Sequence, residues 1–430
     1  MLRTLGSDGG RAHVPVLMNP FPTHIMPRSV PLVPVLAALR RLLCVVTVWT
    51  CVLPTAHAQL SRLPAPDTTR GTFFGASTAL DGSLAVVGAP GANACGTRSG
   101  EVNVFRQGDR TTSWTLEATL RPGDCHEEHF FGSHVDASDG RIAVTSNRPF
   151  FRESTSNAVY IFEQDSLDGS WHQIQRIEQP DDGRHGEFAN AMVLDGDLLA
   201  VTTAGDTSGQ TYNGVVYIYE RRNSQFVQTA RLESPLAAEE AVYGASIDAD
   251  GDLLAVGAST WAREKPGIVF TYQRDASGTW VLEEIMRGVD SFFVPISLSG
   301  KRLAIGESRA RRDGSGRVRI LERRSDGSWE LTHTLRPSTP YDHGAFGSLV
   351  RIRGGRLAAV GYDEQLAMDR NIDRIVYVFS LSPDGEWKQT QVVDVGDTAF
   401  ASSIDLLEEM ALIGKAGDSV AGEAYVSRLR

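Results

Sequence analysis

The sequence predicts an all-β fold, a seven-bladed β-propeller of four-stranded antiparallel blades, and three observations carry that prediction. A Phe or Tyr followed by a small residue recurs along the chain, and each recurrence opens the same succession of strand-like segments. Four such segments joined by short turns fill each unit. The last unit stops one strand short, and the missing pattern stands near the N-terminus.

The recurring pairs are Phe74-Gly75, Phe131-Gly132, Phe188-Ala189, Tyr243-Gly244, Phe346-Gly347 and Phe400-Ala401, with Phe293-Val294 as a degenerate fifth copy. Their intervals in chain order are 57, 57, 55, 50, 53 and 54 residues, a period that marks a repeat architecture. The first strand of each unit is rich in Gly, Ala and Ser, as in Gly75-Ala76-Ser77 and Gly244-Ala245-Ser246, which suits strands crowded about an axis. The second is the most apolar, as expected of a strand covered on both faces. The third alternates and carries aromatics. The fourth is led by Trp114, Trp171, Trp280, Trp329 or Trp387, with Phe226 in the same place in a sixth unit. Hairpin turns such as Asp81-Gly82 and Asp139-Gly140 make each unit an antiparallel meander. One such sheet cannot bury both its faces, and closing several into a ring does.

Ring closure also explains the chain ends. The seventh unit ends at Arg430 after its third strand, whereas Leu60-x-x-Leu63-x-x-Pro66-Asp67 repeats the fourth-strand pattern Ile174-x-x-Ile177-x-x-Pro180-Asp181. Asp67 stands seven residues before Phe74, as Asp181 does before Phe188 and Asp124 before Phe131. The N-terminal strand is therefore expected to complete the last blade.

Residues 1–58 read as a targeting segment. The apolar run Leu42–Leu53 follows Arg40-Arg41 and precedes Ala56-His57-Ala58, the order of a secretory signal cut after Ala58. An uncleaved anchor is the rival reading, and a start at Met26 would give a signal of ordinary length. Cleavage removes five arginines and one aspartate from a chain of net charge −11, leaving −15 on residues 59–430. Such a balance gives no drive toward nucleic acid. With 41% hydrophobic residues the chain has enough for a core, which excludes disorder and a disulfide-stapled miniprotein. Two cysteines remain, Cys95 and Cys125, and in an oxidising compartment an isolated pair is expected to form a disulfide.

The Phe-Gly starts, together with Val87-Gly88-Ala89-Pro90 in the first unit, resemble the FG-GAP repeat family, the integrin-alpha-type propellers, and in particular its bacterial secreted members. The resemblance covers residues 59–430 and implies a seven-bladed ring. The full second motif is intact once, with echoes at Val256-Gly257-Ala258, Ile305-Gly306 and Val360-Gly361. Calcium turns of that family are not carried over. Their alternating Asp run is approached only by Asp248-x-Asp250-Gly251-Asp252, which reads as a hairpin turn, so no metal and no cofactor is expected.

Other candidate chemistry is thin. His126-Glu127-Glu128-His129 has i, i+3 spacing in a loop, whereas a zinc hydrolase pair needs i, i+4 on a helix. His185 and His343 take equivalent places before their Phe residues. Arg309, Arg311, Arg312, Arg317, Arg319, Arg323 and Arg324 crowd the fifth unit and read either as an anion-binding patch or as a solvated face balanced by Asp313, Glu322 and Asp326.

Topology yields a face instead. In a meander the connections after strands two and four share one side, and here the former are long and carry Phe150, Phe151 and Arg152, Tyr212, Trp261 with Arg263, and Tyr362. Tyr341 and His343 join them from a connection after strand four, and Cys95 and Cys125 lie on the same side. Exposed aromatics beside Arg are characteristic of recognition surfaces. The expectation is an extracytoplasmic, monomeric, non-catalytic propeller with no membrane span after cleavage, binding a protein or glycan through these residues. The alternative is a polysaccharide-acting enzyme with His126, His129, His185 and His343 gathered with carboxylates at the channel mouth.

Overall fold

The computed structural model describes residues 60–429, apart from 109–112, 148–156, 181–186, 205–213, 237–240, 261–265, Phe292, 309–314, 339–344, 363–373, 396–399 and 418–420. Seven four-stranded antiparallel sheets make up the fold. Blade 1 is β2 (Ser77–Asp81), β3 (Leu84–Ala89), β4 (Glu101–Gln107) and β5 (Trp114–Leu120). Blade 2 is β6 (Phe131–Ser138), β7 (Arg141–Ser146), β8 (Ala158–Gln164) and β9 (Trp171–Glu178). Blade 3 is β10 (Glu187–Asp195), β11 (Leu198–Ala204), β12 (Val215–Arg222) and β13 (Gln225–Glu233). Blade 4 is β14 (Ala241–Asp250), β15 (Leu253–Thr260), β16 (Gly267–Arg274) and β17 (Trp280–Val289). Blade 5 is β18 (Ile296–Ser299), β19 (Arg302–Glu307), β20 (Arg317–Arg323) and β21 (Trp329–Leu335). Blade 6 is β22 (Leu349–Arg353), β23 (Arg356–Tyr362), β24 (Arg374–Leu381) and β25 (Trp387–Asp394). Blade 7 is β26 (Phe400–Leu407), β27 (Met410–Ala416) and β28 (Glu423–Arg428), with β1 (Leu60–Leu63) paired antiparallel to β28 as its outer strand.

The first strands touch in order, β2, β6, β10, β14, β18, β22, β26 and back to β2, so the ring is closed about an axis. Seven apolar clusters form, each lying between two successive blades. The second strands supply their buried middles, every residue of β3 and β7 being buried. Phe131 meets Tyr160 and Phe162, and Phe346 meets Tyr377, in edge-to-face contacts. Blade 5 departs from the sequence reading: Phe293 is 69% exposed, and its neighbour Val294, 1% exposed, enters the interface with blade 4.

The recurring glycines are contacts between blades. A Cβ on Gly88 would lie 2.2 Å from the Gly132 carbonyl oxygen of the next blade, and one on Gly306 would lie 2.1 Å from that of Gly347. Ser77 Oγ donates to the same Gly132 oxygen at 2.8 Å. The small residue after the Phe and the glycine of the second strand are thus two halves of one close approach.

A strand at the axis has one edge with no partner strand, and its alternate amides need acceptors. Three aspartates and one serine provide them. The Leu194 amide donates to Asp136 Oδ2, Leu298 to Asp248 Oδ2 and Leu80 to Asp405 Oδ2, each at 2.7 Å and each from the next blade. The same carboxylates accept the amides of their own neighbours Ala137, Ala249 and Leu406. Ser297 Oγ takes the Ile352 amide at 3.1 Å. One level nearer the hairpins, Asp81, Ser138, Asp195, Asp250 and Ser299 accept the amides of Gly140, Gly196, Gly251, Gly300 and Gly354.

Two substitutions test this construction. Gly88→Ala forces a methyl onto the Gly132 carbonyl and is expected to cost about 3 kcal/mol in a denaturant titration. Leu63 is 1% exposed within the cluster between blades 7 and 1, so Leu63→Ala in the closing strand is expected to cost about 3 kcal/mol as well. An unchanged midpoint for Leu63→Ala would mean that β1 does not hold the ring.

Candidate functional site

The connections between second and third strands, and those leading from one blade to the next, emerge on one side of the blades, the long-loop face. Phe150, Phe151, Arg152, Tyr212, Trp261, Arg263, Tyr341 and His343 belong to these connections and lie outside the described residues, as does His185. Tyr362 closes β23, where its backbone pairs with Arg374.

One described part of this face is the corner between blades 1 and 2. Cys95 and Cys125 form a disulfide across it, with Cα atoms 5.9 Å apart. The two segments are also joined by backbone bonds: the Glu128 amide donates to the Thr97 oxygen at 2.7 Å, Phe130 to Arg98 at 3.0 Å and Phe131 to Ser99 at 3.1 Å. A parallel bridge from Gly100 to Phe131 continues the pairing.

Behind this corner His126 and His129 stack edge to face, their ring centroids 4.1 Å apart. His129 is buried, and its Nε2 lies 3.0 Å from the Tyr160 hydroxyl. That hydroxyl donates to Asp124 Oδ2 at 3.0 Å and accepts from Arg176 Nε at 3.1 Å. With its proton given to Asp124, it accepts from His129, which fixes the imidazole as the Nε2–H form. Burial, seconded by His126, holds His129 down to about 4, so it is neutral at physiological pH. Burial likewise pushes Tyr160 up to about 12. The His126/His129 pair thus anchors a loop on blade 2. Among the described residues, Asp165, Asp168 and His172 are grouped closely enough to share a cation, but they are exposed on the β8–β9 hairpin, where the Ser170 amide and hydroxyl bond Asp168.

Other sequence candidates find specific partners. In blade 4, Asp248 and Asp250 are engaged by the Leu298 and Gly300 amides, as parts of the inner ring. In blade 5, Arg317 and Arg319 converge on the wholly buried Glu307, Arg323 pairs with Glu283 of the preceding blade, and Arg324 pairs with Glu330. The paired acids are therefore Glu307, Glu283 and Glu330, Asp326 acts by its charge on Arg323 and Arg324, and Glu322 pairs with Arg302. Arg309, Arg311, Arg312 and Asp313 lie outside the described residues.

The axis holds a charge cluster that the sequence reading did not single out. Arg351 Nε lies 3.6 Å from Asp405 Oδ1, and these side chains are 38% and 21% exposed, open toward the axis. Asp136 is pushed up to about 7, chiefly by burial and then by the charge of Asp405 and Asp248, against the Leu194 amide and Arg351. Burial raises Asp248 and Asp405 too, with Arg351 opposing. Burial works against the charge of Arg351, yet the three carboxylates together raise it. A signal for this cluster exists in the sequence. Asp136, Asp248, Arg351 and Asp405 each stand five residues after a repeat aromatic, between two apolar residues.

Residues 58–105, the stretch holding Phe74-Gly75 and Val87-Gly88-Ala89-Pro90, match the FG-GAP repeat. That match and the seven four-stranded blades together support an FG-GAP-type β-propeller. No curated protein matches the chain. Among solved structures it is similar to Sqt1 of Saccharomyces cerevisiae, at 13% identity and TM-score 0.46, over 84% of this chain and 98% of that one. It is also similar to a putative 6-phosphogluconolactonase of Bacteroides uniformis, at 14% identity and TM-score 0.47, over 75% of this chain and 86% of that one. No helix among the described residues is long and apolar enough to cross a membrane.

The disulfide closes a separation of 30 residues, for which chain entropy gives about 3–4 kcal/mol. Because both segments also pair through their backbones, Cys95→Ser with Cys125→Ser is expected to lower the unfolding free energy by about that amount or less while the native state persists. Thermal unfolding with and without reductant measures this.

Proposed function

We propose that the protein is an exported, non-catalytic propeller that binds a protein or glycan partner through its long-loop face. Strand order supports the reading. The connections that carry Phe150, Phe151, Arg152, Tyr212, Trp261 and Arg263, with Tyr341, His343 and Tyr362, leave the blades on one side. That is the side on which Cys95 and Cys125 tie two connections together. Large amphipathic side chains on a rigid ring lose little entropy on binding, which is why aromatics and arginine dominate recognition surfaces. The disulfide supports an oxidising, extracytoplasmic address. The non-catalytic part of the reading is supported by the commitment of the Asp124–His129–Tyr160 group to holding its own loop.

Affinity capture of envelope and extracellular material tests it. The parent protein is expected to retain a partner that a Phe150→Ala, Phe151→Ala, Trp261→Ala variant of unchanged melting temperature loses. Retention of the same partners by both proteins would remove this face from the interaction. Turnover of a captured polysaccharide by the purified protein would replace binding by catalysis.

A further inference from the structure

The three axial carboxylates do structural work with a surplus of negative charge. Asp136, Asp248 and Asp405 each accept two amides, so none can turn away from the axis without leaving an inner-strand N–H unpaired. Against them, among the described residues, stands the guanidinium of Arg351 in their midst, with Arg353 acting on Asp405 from the exposed hairpin end of the same strand. We propose that this ring is a proton-operated fastener: on mild acidification a proton is taken up among Asp136, Asp248 and Asp405 while their amide bonds stay made, and the closed propeller is thereby held more tightly.

Geometry makes the uptake compatible with the bonds. A protonated carboxyl still has lone pairs on both oxygens, and its new O–H can point to the axis, where solvent reaches. Among the described residues, the charged groups around Asp136 are few. Asp405, Arg351 and Asp248 act on it across the axis, and His134 stands two residues before it on β6, exposed, with Nδ1 3.4 Å from Thr145 Oγ1. The neighbouring strands β2 and β10 bring Asp81 and Asp195, engaged by the Gly140 and Gly251 amides. From β7 comes Arg141, paired with Asp139 and Asp197.

A carboxyl that holds its proton more tightly in the folded than in the unfolded chain adds stability as pH falls. For Asp136, raised from 3.8 to about 7, that gain is absent above the folded value and grows as pH drops from about 7 toward 4. His129 and His134, both lowered from 6.5 to about 4 by the protein packed around them, work the other way over much of the same window. The fastener is therefore read as a difference between proteins in which the histidines are common.

The experiment measures the melting temperature of the parent and of Asp136→Asn from pH 8 to pH 5, together with a carbon-13 titration of the Asp side-chain carboxyls in the parent. The parent is expected to gain on Asp136→Asn by several degrees as pH falls, whatever the offset between them at pH 8, and one carboxyl should titrate at least two units above its usual value. Arg351→Met should move that titration higher still. A gap that stays constant with pH, or carboxyls that all titrate near 4, would overturn the proposal. If Asp136→Asn does not fold, the parent's carbon-13 titration decides alone.

Discussion

The constraint on which this ring depends is the open edge at its centre. Every sheet in a propeller has an outermost and an innermost strand, and the inner one cannot be left to solvent freely because its neighbours crowd it. Here seven amides at one level, one from each blade, are all satisfied by Asp136, Asp248, Asp405 and Ser297. Where a blade has Ala79 or Val193 at this level and so no acceptor, the following blade's aspartate serves its own neighbour instead. Every second junction or so thus carries a two-pronged carboxylate, and the ring is stitched without a residue at every position.

Stitching at the axis fixes how far apart the blades stand, and the glycines are the consequence. With the first strands held side by side, the backbone of one blade passes within contact distance of the second strand of its predecessor, and only glycine fits at Gly88, Gly306 or Gly414. Further out, the spacing leaves room for the aromatic and aliphatic clusters between blades, closed at the rim by Trp114, Trp280, Trp329 and Trp387, each nearly buried. The FG-GAP pattern reads physically as one inter-blade contact written twice, once on each partner.

A rigid ring fastened from within leaves its outer connections free to carry other chemistry. Second strands such as β3 and β7, buried between neighbouring blades, have almost no positions at which a large side chain could change without disturbing a neighbour blade. The connections on the long-loop face are released from that requirement, and the Cys95–Cys125 corner shows how one of them is stiffened locally. On the proposed reading, stability rests on the strands and recognition on the connections between them.

The sequence by itself determined the number of blades, the four strands in each, the borrowed outer strand Leu60–Leu63 and the cysteine pair. The first three follow from periodicity and alternation along the chain, and the cysteine pair from its isolation in an oxidising compartment. It misplaced Phe293, because the Phe-plus-small pattern does not say which of two adjacent side chains turns inward when a blade departs from the repeat. It left Arg317 and Arg319 without Glu307, which is near in sequence yet meets them only through strand pairing. Only the tertiary structure decided the axial cluster. Asp405 serves Leu80 and Asp136 shares Arg351 across the ring, and such meetings arise from closure: residues hundreds of positions apart become neighbours when a periodic chain returns to its own beginning.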